Sequence, residues 1–280
     1  MMLNHPMRYA VIGNPIKHSR SPDIHQAFAQ QIGINLIYDR LYAPLDNFVQ
    51  TVGNFIARGG QGLNVTTPFK LNALELSTQV TARAQVAGAV NTLKFLEHEI
   101  QGDNTDGIGL IEDIQKNIGY SLQGKKILLL GAGGAARGVL LPLLQCAPAA
   151  LFIANRTANK AQQLAMQFAP LSSTAKIEAG SIAQAPSGYD VLINASAAGL
   201  SGHVPLLEKE CWSFELVYDM MYGDQATAFL QYAAASGAKT ADGLGMLVMQ
   251  AAHSFMLWHG VFPDAVSVLH ALRQDHHISR

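Results

Sequence analysis

Cysteine is almost missing from this sequence. Its 280 residues hold two, Cys146 and Cys211, far apart and in no CxxC pair. No disulfide framework is therefore expected, and a reducing cytoplasm is the expected location. No apolar run reaches the roughly 18 residues that a membrane-spanning helix needs. Ile127 to Leu130 is too short and ends in glycines. The opening Met1-Met2-Leu3-Asn4-His5-Pro6 has no basic segment leading into an apolar one, so no signal peptide is visible. Charge is scarce and balanced: 19 Lys and Arg face 20 Asp and Glu. Without a basic excess, no nucleic-acid partner is expected. The 10 histidines include no HExxH and show ligand spacing nowhere except His276-His277 at the tail, so no metal site is expected.

What the chain does have is apolar material, 49% of its residues, and a length between one average domain and three. Strand-like and helix-like stretches alternate almost throughout. Tyr9 to Ile12 is a short apolar run stopped by Gly13-Asn14-Pro15. Ser21-Pro22 suits a helix start, serine as cap and proline at the first helical position, with the helix running to about Ile32. Leu36 to Leu41 and Gly62 to Val65 read as strands. Leu45 to Arg58 reads as a helix, and Pro68 opens another. Asn91 to Leu96 and Glu99 to Gln101 read as a hairpin around Glu97-His98.

Asp106 to Ile118 carries Ile108, Ile111, Ile114 and Ile118 at helical spacing. Lys126 to Leu130 is dense in Ile and Leu, as in a parallel sheet covered on both faces. Helices Ala135–Gln145 and Ala158–Phe168, strands Leu151–Ala154, Val191–Asn194 and Leu216–Asp219, and helices Thr227–Ser236, Leu244–Gly260 and Ala265–Gln274 follow. The expected fold is α/β in two domains, divided inside or just before the helix that follows Asp106, with the second ending near Ala241; periodicity leaves open which of the two the final helices join.

The second domain carries the most specific local signal. Ile127 to Leu130 feeds into Gly131-Ala132-Gly133-Gly134-Ala135-Ala136 and then into a helix. A strand, a glycine turn and a helix in that order form the dinucleotide-binding fingerprint of a Rossmann-type domain. The first glycine permits the tight turn. The second lets the backbone approach a pyrophosphate, and the helix N-terminus offers free N–H groups. Ala136 stands at the third small position. The next strand ends in Asn155-Arg156-Thr157, with Lys160 one turn on. An NAD binder places an acidic residue there for the ribose hydroxyl. A guanidinium instead matches a 2′-phosphate, so the expected cofactor is NADP.

The first domain offers polar groups at strand ends: Ser19 and Ser21, then Asn64, Thr66 and Lys70, then Asn91, then Asp106. They suit a small polyhydroxylated ligand, with Lys70 to carry a proton and Asp106 to orient it. Each also has a plainer use. Ser21 is a helix cap, Asn64 and Asn91 are turn formers, Lys70 is a surface lysine and Asp106 is an N-cap. Residue chemistry alone leaves the two uses open.

At this point the motifs together resemble the shikimate dehydrogenases, in their single-function bacterial form. The resemblance runs from about Tyr9 to Ala271. It is carried by Gly13 to Pro22, Gly62 to Lys70, Ala87 to Thr92, Gly102 to Gly107, the glycine loop, Asn155-Arg156-Thr157, Tyr218 to Tyr222 and Asp242 to Gln250. It implies reversible NADPH-dependent reduction of 3-dehydroshikimate to shikimate, on the route to chorismate and the aromatic amino acids. It also implies Lys70 and Asp106 as the catalytic pair. Around the substrate it implies Ser19, Ser21, Asn64, Thr66, Lys70, Asn91, Asp106, Tyr222 and Gln250. To the cofactor it gives Gly131, Ala132, Gly133, Gly134, Ala135, Asn155, Arg156, Thr157, Lys160, Met220 and Gly243. The last helices are then expected to return to the first domain, carrying Gln250, so that the domains are residues 1–106 with 242–280 and residues 107–241.

Two departures stand out. An often acidic cofactor-side position falls on Ala82, and Asn194 to Gly199 holds alanines where many relatives carry Ser, Thr or Pro. Two other functions compete: a quinate/shikimate dehydrogenase of broader substrate and cofactor range, and a non-catalytic NADP-binding sensor. Monomer and homodimer both remain open.

Overall fold

The computed structural model describes residues 6–196, 213–223 and 225–278. Cys211 and the alanines at 197 and 198 lie outside them, and so do the side chains of His276 and His277. The chain divides into two compact units, Met1–Gly109 with Leu247–Arg280, and Leu110–Met246. The divisions fall later than Asp106 and Ala241.

The first unit is built on a six-stranded mixed sheet of order β2-β1-β3-β5-β6-β4. Here β1 is Met7–Gly13, β2 Leu36–Tyr42, β3 Gly60–Val65, β4 Gln79–Val80, β5 Thr92–Phe95 and β6 Ile100–Asp103. β1 pairs in parallel with both β2 and β3, while β3, β5 and β6 run antiparallel in turn. Its helices are α1 Ser21–Ile32, α2 Phe48–Ala57, α3 Lys70–Leu76, α4 Ala82–Ala87 and the start of α5 Asp106–Glu112. Most of α9 Leu244–His259 and all of α10 Ala265–Ile278 belong to this unit too. Ile12, Leu63, Phe69 and Leu93 form its core with neighbours on α2 and α3. Each such fully buried side chain contributes about 1.5–3 kcal/mol by leaving water.

The second unit is a fully parallel sheet of order β12-β11-β10-β7-β8-β9. Its strands are β7 Lys126–Leu130, β8 Ala150–Ala154, β9 Lys176–Gly180, β10 Val191–Asn194, β11 Leu216–Asp219 and β12 Lys239–Asp242. Helices α6 Gly134–Gln145, α7 Ala158–Phe168 and α8 Ala228–Ala235 connect them. β10 and β11 are buried along their whole length, which is why they read as unbroken apolar runs. Strand order reverses between β7 and β10, the switch point outside which such sheets bind ligands.

Several expectations need correction. The helix expected over Asp106 to Ile118 is α-helical only to Glu112 and then widens into a π-turn over Asp113–Asn117. Apolar periodicity reads past Asp113, which is fully buried and accepts bonds from Asn117 and from the Tyr218 hydroxyl. Gly245 leaves room for it, because a Cβ there would overlap the Asp113 carboxylate. Arg20, not Ser21, stands at the N-cap of α1, so Ser21 and Pro22 are its first two residues. Residues 67–69 form a turn closed by Phe69 N–H to Thr66 O at 3.0 Å, and the helix expected from Pro68 starts at Lys70. α2 begins at Phe48, after a turn closed by Asn47 N–H to Pro44 O. β4, α4, β9 and β12 were not expected at all. Each is short, and β4, β9 and β12 carry too few apolar residues to alternate visibly.

Candidate active site

In the first unit, strand order also turns around between β1 and β3, and the polar residues collect beyond their carboxyl ends. The loops there lie close. Asn14 N–H donates to Thr67 O at 3.0 Å, and Thr66 N–H to Ile12 O at 3.0 Å. A Cβ on Gly13 would stand 2.5 Å from the Thr66 methyl, so only glycine allows that approach.

Lys70 opens α3 and Asp106 opens α5, and the ammonium donates to Asp106 Oδ2. Both side chains are largely withdrawn from water, 15% and 8% exposed, which strengthens the pairing over a surface ion pair. The other carboxylate oxygen accepts from Asn91 Nδ2 at 2.8 Å. Asn91 also donates to the Thr105 hydroxyl at 2.9 Å and to Gln250 Oε1 at 3.3 Å, and its own oxygen accepts from Thr105 N–H at 2.9 Å. Lys70, Asp106, Asn91 and Gln250 thus form one bonded group. Asp106 spends both oxygens on side chains, not on capping its helix.

Ser19 donates to the Ser21 hydroxyl at 3.1 Å, and Arg40 holds the Ser19 carbonyl at 2.8 Å. Ser21 is buried. Thr66 is half-buried at the end of β3. Asn64 is different, because its amide is committed to the protein at both ends. Oδ1 accepts from Tyr38 at 2.7 Å and pairs with His25 Nε2 at 3.1 Å, while Nδ2 donates to Ser254 at 2.9 Å and Thr92 at 3.2 Å.

A second carboxylate, Asp103, lies in the same unit and serves another purpose. Burial pushes it up, but a forked pair of bonds from Arg83, with Thr81 and Asn104 N–H, outweighs burial and holds it below its ordinary 3.8.

In the second unit the glycine loop takes its expected form. Gly131 has φ +113°, a left-handed value that glycine tolerates, and its N–H meets Ala154 O at 2.8 Å. Gly133 caps α6 without any side-chain bond, and a Cβ on Gly133 or Gly134 would meet nothing within 4 Å. The space over the first turn of α6 is therefore open, beside N–H groups that have no helical partner. Ala136 is fully buried, as tight helix packing requires. At the end of β8, Asn155 Nδ2 donates to Thr157 O at 3.0 Å. Arg156, Thr157 and Lys160 are exposed, and no carboxylate among the described residues is paired with Arg156. Open glycines, free N–H groups and an uncommitted guanidinium fit a dinucleotide with an extra phosphate.

Met220 and Tyr222 follow β11, in a loop whose backbone is fixed from beneath. Asp219 accepts from Asn194 at 3.0 Å, Met221 N–H at 3.2 Å and Thr227 at 2.7 Å. Gly243 N–H donates to Met221 O at 2.9 Å, and a Cβ on Gly243 would come within 2.2 Å of Met220 O.

Sequence reasoning missed His25, Tyr38, Thr92, Ser254, Asn194 and Asp219. Ser254 alone left a trace: it lies four residues after Gln250, on the same face of α9. Among the described residues no group of three or more His, Cys, Asp or Glu could hold a metal ion.

Comparison with known proteins points to one family. Residues 11–93 match the family described as "Shikimate dehydrogenase substrate binding domain", and residues 112–210 the family "Shikimate / quinate 5-dehydrogenase". Shikimate dehydrogenase (NADP(+)) from Herminiimonas arsenicoxydans is 53% identical over 95% of this chain and 97% of its own length. A crystal structure of an Ael1 enzyme from Pseudomonas putida is 43% identical, with a TM-score of 0.86 over 95% of this chain and 98% of that one. Shikimate 5-dehydrogenase from Thermus thermophilus, solved in complex with NADP(H) and shikimate, is 32% identical, with a TM-score of 0.83 over 96% and 99%. With two family matches and that degree of identity along nearly its whole length, the chain belongs to the shikimate dehydrogenase family.

Proposed function

We propose that this protein catalyses the reversible NADPH-dependent reduction of 3-dehydroshikimate to shikimate, a step in chorismate and aromatic amino-acid biosynthesis. The observation that carries the reading is the bonded group of Lys70, Asp106, Asn91 and Gln250. A cation that can release a proton is held there beside hydrogen-bonding groups suited to ring hydroxyls. Residues 1–106 with 242–280 are the substrate-binding domain, and residues 107–241 the nucleotide-binding domain.

The chemistry supplied with the nucleotide bound is hydride transfer to the ketone carbon. Gly131 to Ala135 would hold its pyrophosphate through backbone N–H groups, and Arg156, with Thr157 and Lys160, would take the 2′-phosphate. Negative charge develops on the ketone oxygen as the ketone is reduced. Lys70 stabilises that charge and gives up one proton, which becomes the hydrogen of the product hydroxyl. Asp106 holds the Lys70 ammonium in place and bonds a substrate hydroxyl, and Asn91 fixes Asp106. Ser19, Ser21 and Thr66 bind the substrate's polar end, and Gln250, bonded to Asn91, binds it beside Asp106. In the oxidative direction Lys70 takes the proton back.

Balanced charge, scarce cysteine and the lack among the described residues of a helix able to cross a membrane support a cytoplasmic enzyme acting without membrane or nucleic acid, as monomer or homodimer. Steady-state rates with shikimate and with quinate, each with NADP and NAD, test the reading. Strong turnover of shikimate with NADP is expected. Comparable turnover of quinate with NAD would replace it with the broader enzyme. Nucleotide binding without turnover of either acid would replace it with a sensor.

A further inference from the structure

Across the switch point of the second unit, two buried side chains join neighbouring strand ends. β10 ends at Asn194 and β11 at Asp219, and the two residues are partners in the parallel register. Both are fully buried. Asn194 Nδ2 donates to Asp219 Oδ1 at 3.0 Å.

Each of them also holds the loop that follows its own strand. Asn194 Oδ1 accepts from Ser196 N–H at 3.0 Å and from the Ser196 hydroxyl at 2.6 Å. Asp219 Oδ1 accepts from Met221 N–H at 3.2 Å, and Oδ2 from the Thr227 hydroxyl at 2.7 Å. The tie reaches outward on both sides. A Cβ on Gly131 would stand 3.0 Å from Ala195 O, so the loop after β10 lies against the glycine turn. Gly243 N–H donates to Met221 O at 2.9 Å, which joins the loop after β11 to the end of β12.

Such a pair is a costly way to hold two strands together. Among the described residues no lysine or arginine is paired with Asp219, and burying a carboxylate without a cation is unfavourable. An apolar pair of similar volume would serve the sheet as well or better. What an apolar pair cannot do is fix the backbone N–H groups of Ser196 and Met221 and the distance between them.

A dinucleotide lies across the switch point, one half on either side. With Arg156 at the end of β8 taking the 2′-phosphate, the adenosine half belongs over β8 and the nicotinamide half over β10 and β11. We infer that Asn194 and Asp219 are positioning residues for the nicotinamide: their mutual bond sets the two loops between which the ring must be held for hydride transfer. The inference rests on the reading of this unit as the nucleotide-binding domain.

Asp219→Ala removes both oxygens and cuts the tie. Asn194→Asp cuts it differently, keeping an acceptor for Ser196 and setting a carboxylate against Asp219 in place of a donor. Asp219→Asn restores it, because its oxygen accepts from Asn194 and Met221 and its amide donates to the Thr227 hydroxyl. Three measurements read the outcome. Calorimetry gives the Kd for adenosine 2′,5′-bisphosphate, which has the extra phosphate and no nicotinamide. The fluorescence change of NADPH on binding reports the surroundings of the ring. Steady-state kinetics gives the turnover number with shikimate. Both cutting variants are expected to bind adenosine 2′,5′-bisphosphate within about twofold of wild type, to lose about half or more of the fluorescence change, and to turn over about tenfold to a hundredfold more slowly, the order expected when a reacting group is misplaced. Asp219→Asn is expected within about threefold of wild type in all three.

An equal loss of adenosine 2′,5′-bisphosphate binding, or failure of both cutting variants to fold, makes the pair a support of the whole sheet and overturns the inference. Wild-type fluorescence and turnover in either cutting variant overturn it, and so does an Asp219→Asn variant no better than Asp219→Ala. Wild-type protein that binds neither adenosine 2′,5′-bisphosphate nor NADPH overturns the reading of this unit, and the inference with it. Wild-type protein that binds NADPH but does not oxidise shikimate overturns only the proposed reaction, and the two binding measurements still decide the inference.

Discussion

Asn91 Nδ2 lies 2.8 Å from Asp106 Oδ1, on the opposite side of the carboxylate from the Lys70 ammonium. The carboxylate is thereby held from two directions, and the cation it carries cannot swing out to solvent without breaking a largely buried pair. Lys70→Ala removes the proposed proton carrier and keeps the Asn91 bond to Asp106. The turnover number is expected to fall by about a hundredfold to ten-thousandfold, with a much smaller change in the KM for shikimate. Steady-state kinetics decides it, and a near-normal turnover number removes Lys70 from the chemistry.

The glycine at 133 makes a separable prediction. A Cβ there meets no protein atom within 4 Å, and the residue is not in the left-handed region. Gly133→Ala should therefore leave the unfolding temperature of the free protein nearly unchanged. Its methyl would stand where a pyrophosphate must approach the backbone, so the Kd for NADP is expected to rise at least about tenfold. Differential scanning fluorimetry and titration calorimetry on the same samples test both halves. Unchanged NADP binding would show that the loop serves only the turn.

Arg156 bears on which nucleotide is used. It is exposed at the end of β8, with no ion-pair partner among the described residues. Arg156→Ala is expected to weaken NADP about tenfold or more while leaving NAD kinetics almost as they were, since NAD lacks the phosphate that the guanidinium would hold. An equal loss with both nucleotides would mean that Arg156 holds the loop and does not read the phosphate.

His25 links the buried Asn64 amide to the stability of the whole first unit. Its pKa is about 3 in the folded protein, because burial disfavours the charged ring, against 6.5 for the exposed side chain. As pH falls below 6.5 the unfolded chain takes up the proton and the folded one does not. The neutral ring's contribution is complete above pH 6.5 and drains away toward pH 3, at about 1.4 kcal/mol per pH unit. His25→Gln retains a donor for Asn64 and cannot titrate. Urea unfolding between pH 7 and pH 5 should show a shallower decline for the variant, though not a flat one, because His259, lowered to about 4 by burial and then by Lys94, still contributes. Parallel declines would place the proton-linked loss elsewhere.

Much of this was legible in the residue order because it is local. β7, the glycine loop and α6 follow one another without a gap, and each has a strong signature of its own. The strand-end polar residues could be named for the same reason. What could not be read was whatever depends on distant partners. A histidine on the apolar face of α1 looks like core filling until it is seen against Asn64, 39 residues away. Asn64 was expected to touch substrate, and nothing nearby in sequence shows that Tyr38, His25, Thr92 and Ser254 use up its amide. The burial of Asp113 at the start of the π-turn was hidden similarly, since its carboxylate accepts from the Tyr218 hydroxyl, 105 residues on.

The return of α9 to the first unit also sets an order of events during synthesis. Ser254 and Gln250 supply bonds to Asn64, Thr92 and Asn91, so the first unit has an open junction until they leave the ribosome. β12, the final strand of the second unit, ends at Asp242 and emerges earlier. The part of the chain translated first is therefore finished last. On a growing polypeptide the nucleotide-binding sheet can be complete while the substrate pocket still waits for its last helix. A nascent enzyme of this design acquires its cofactor domain before it has anywhere to put a substrate.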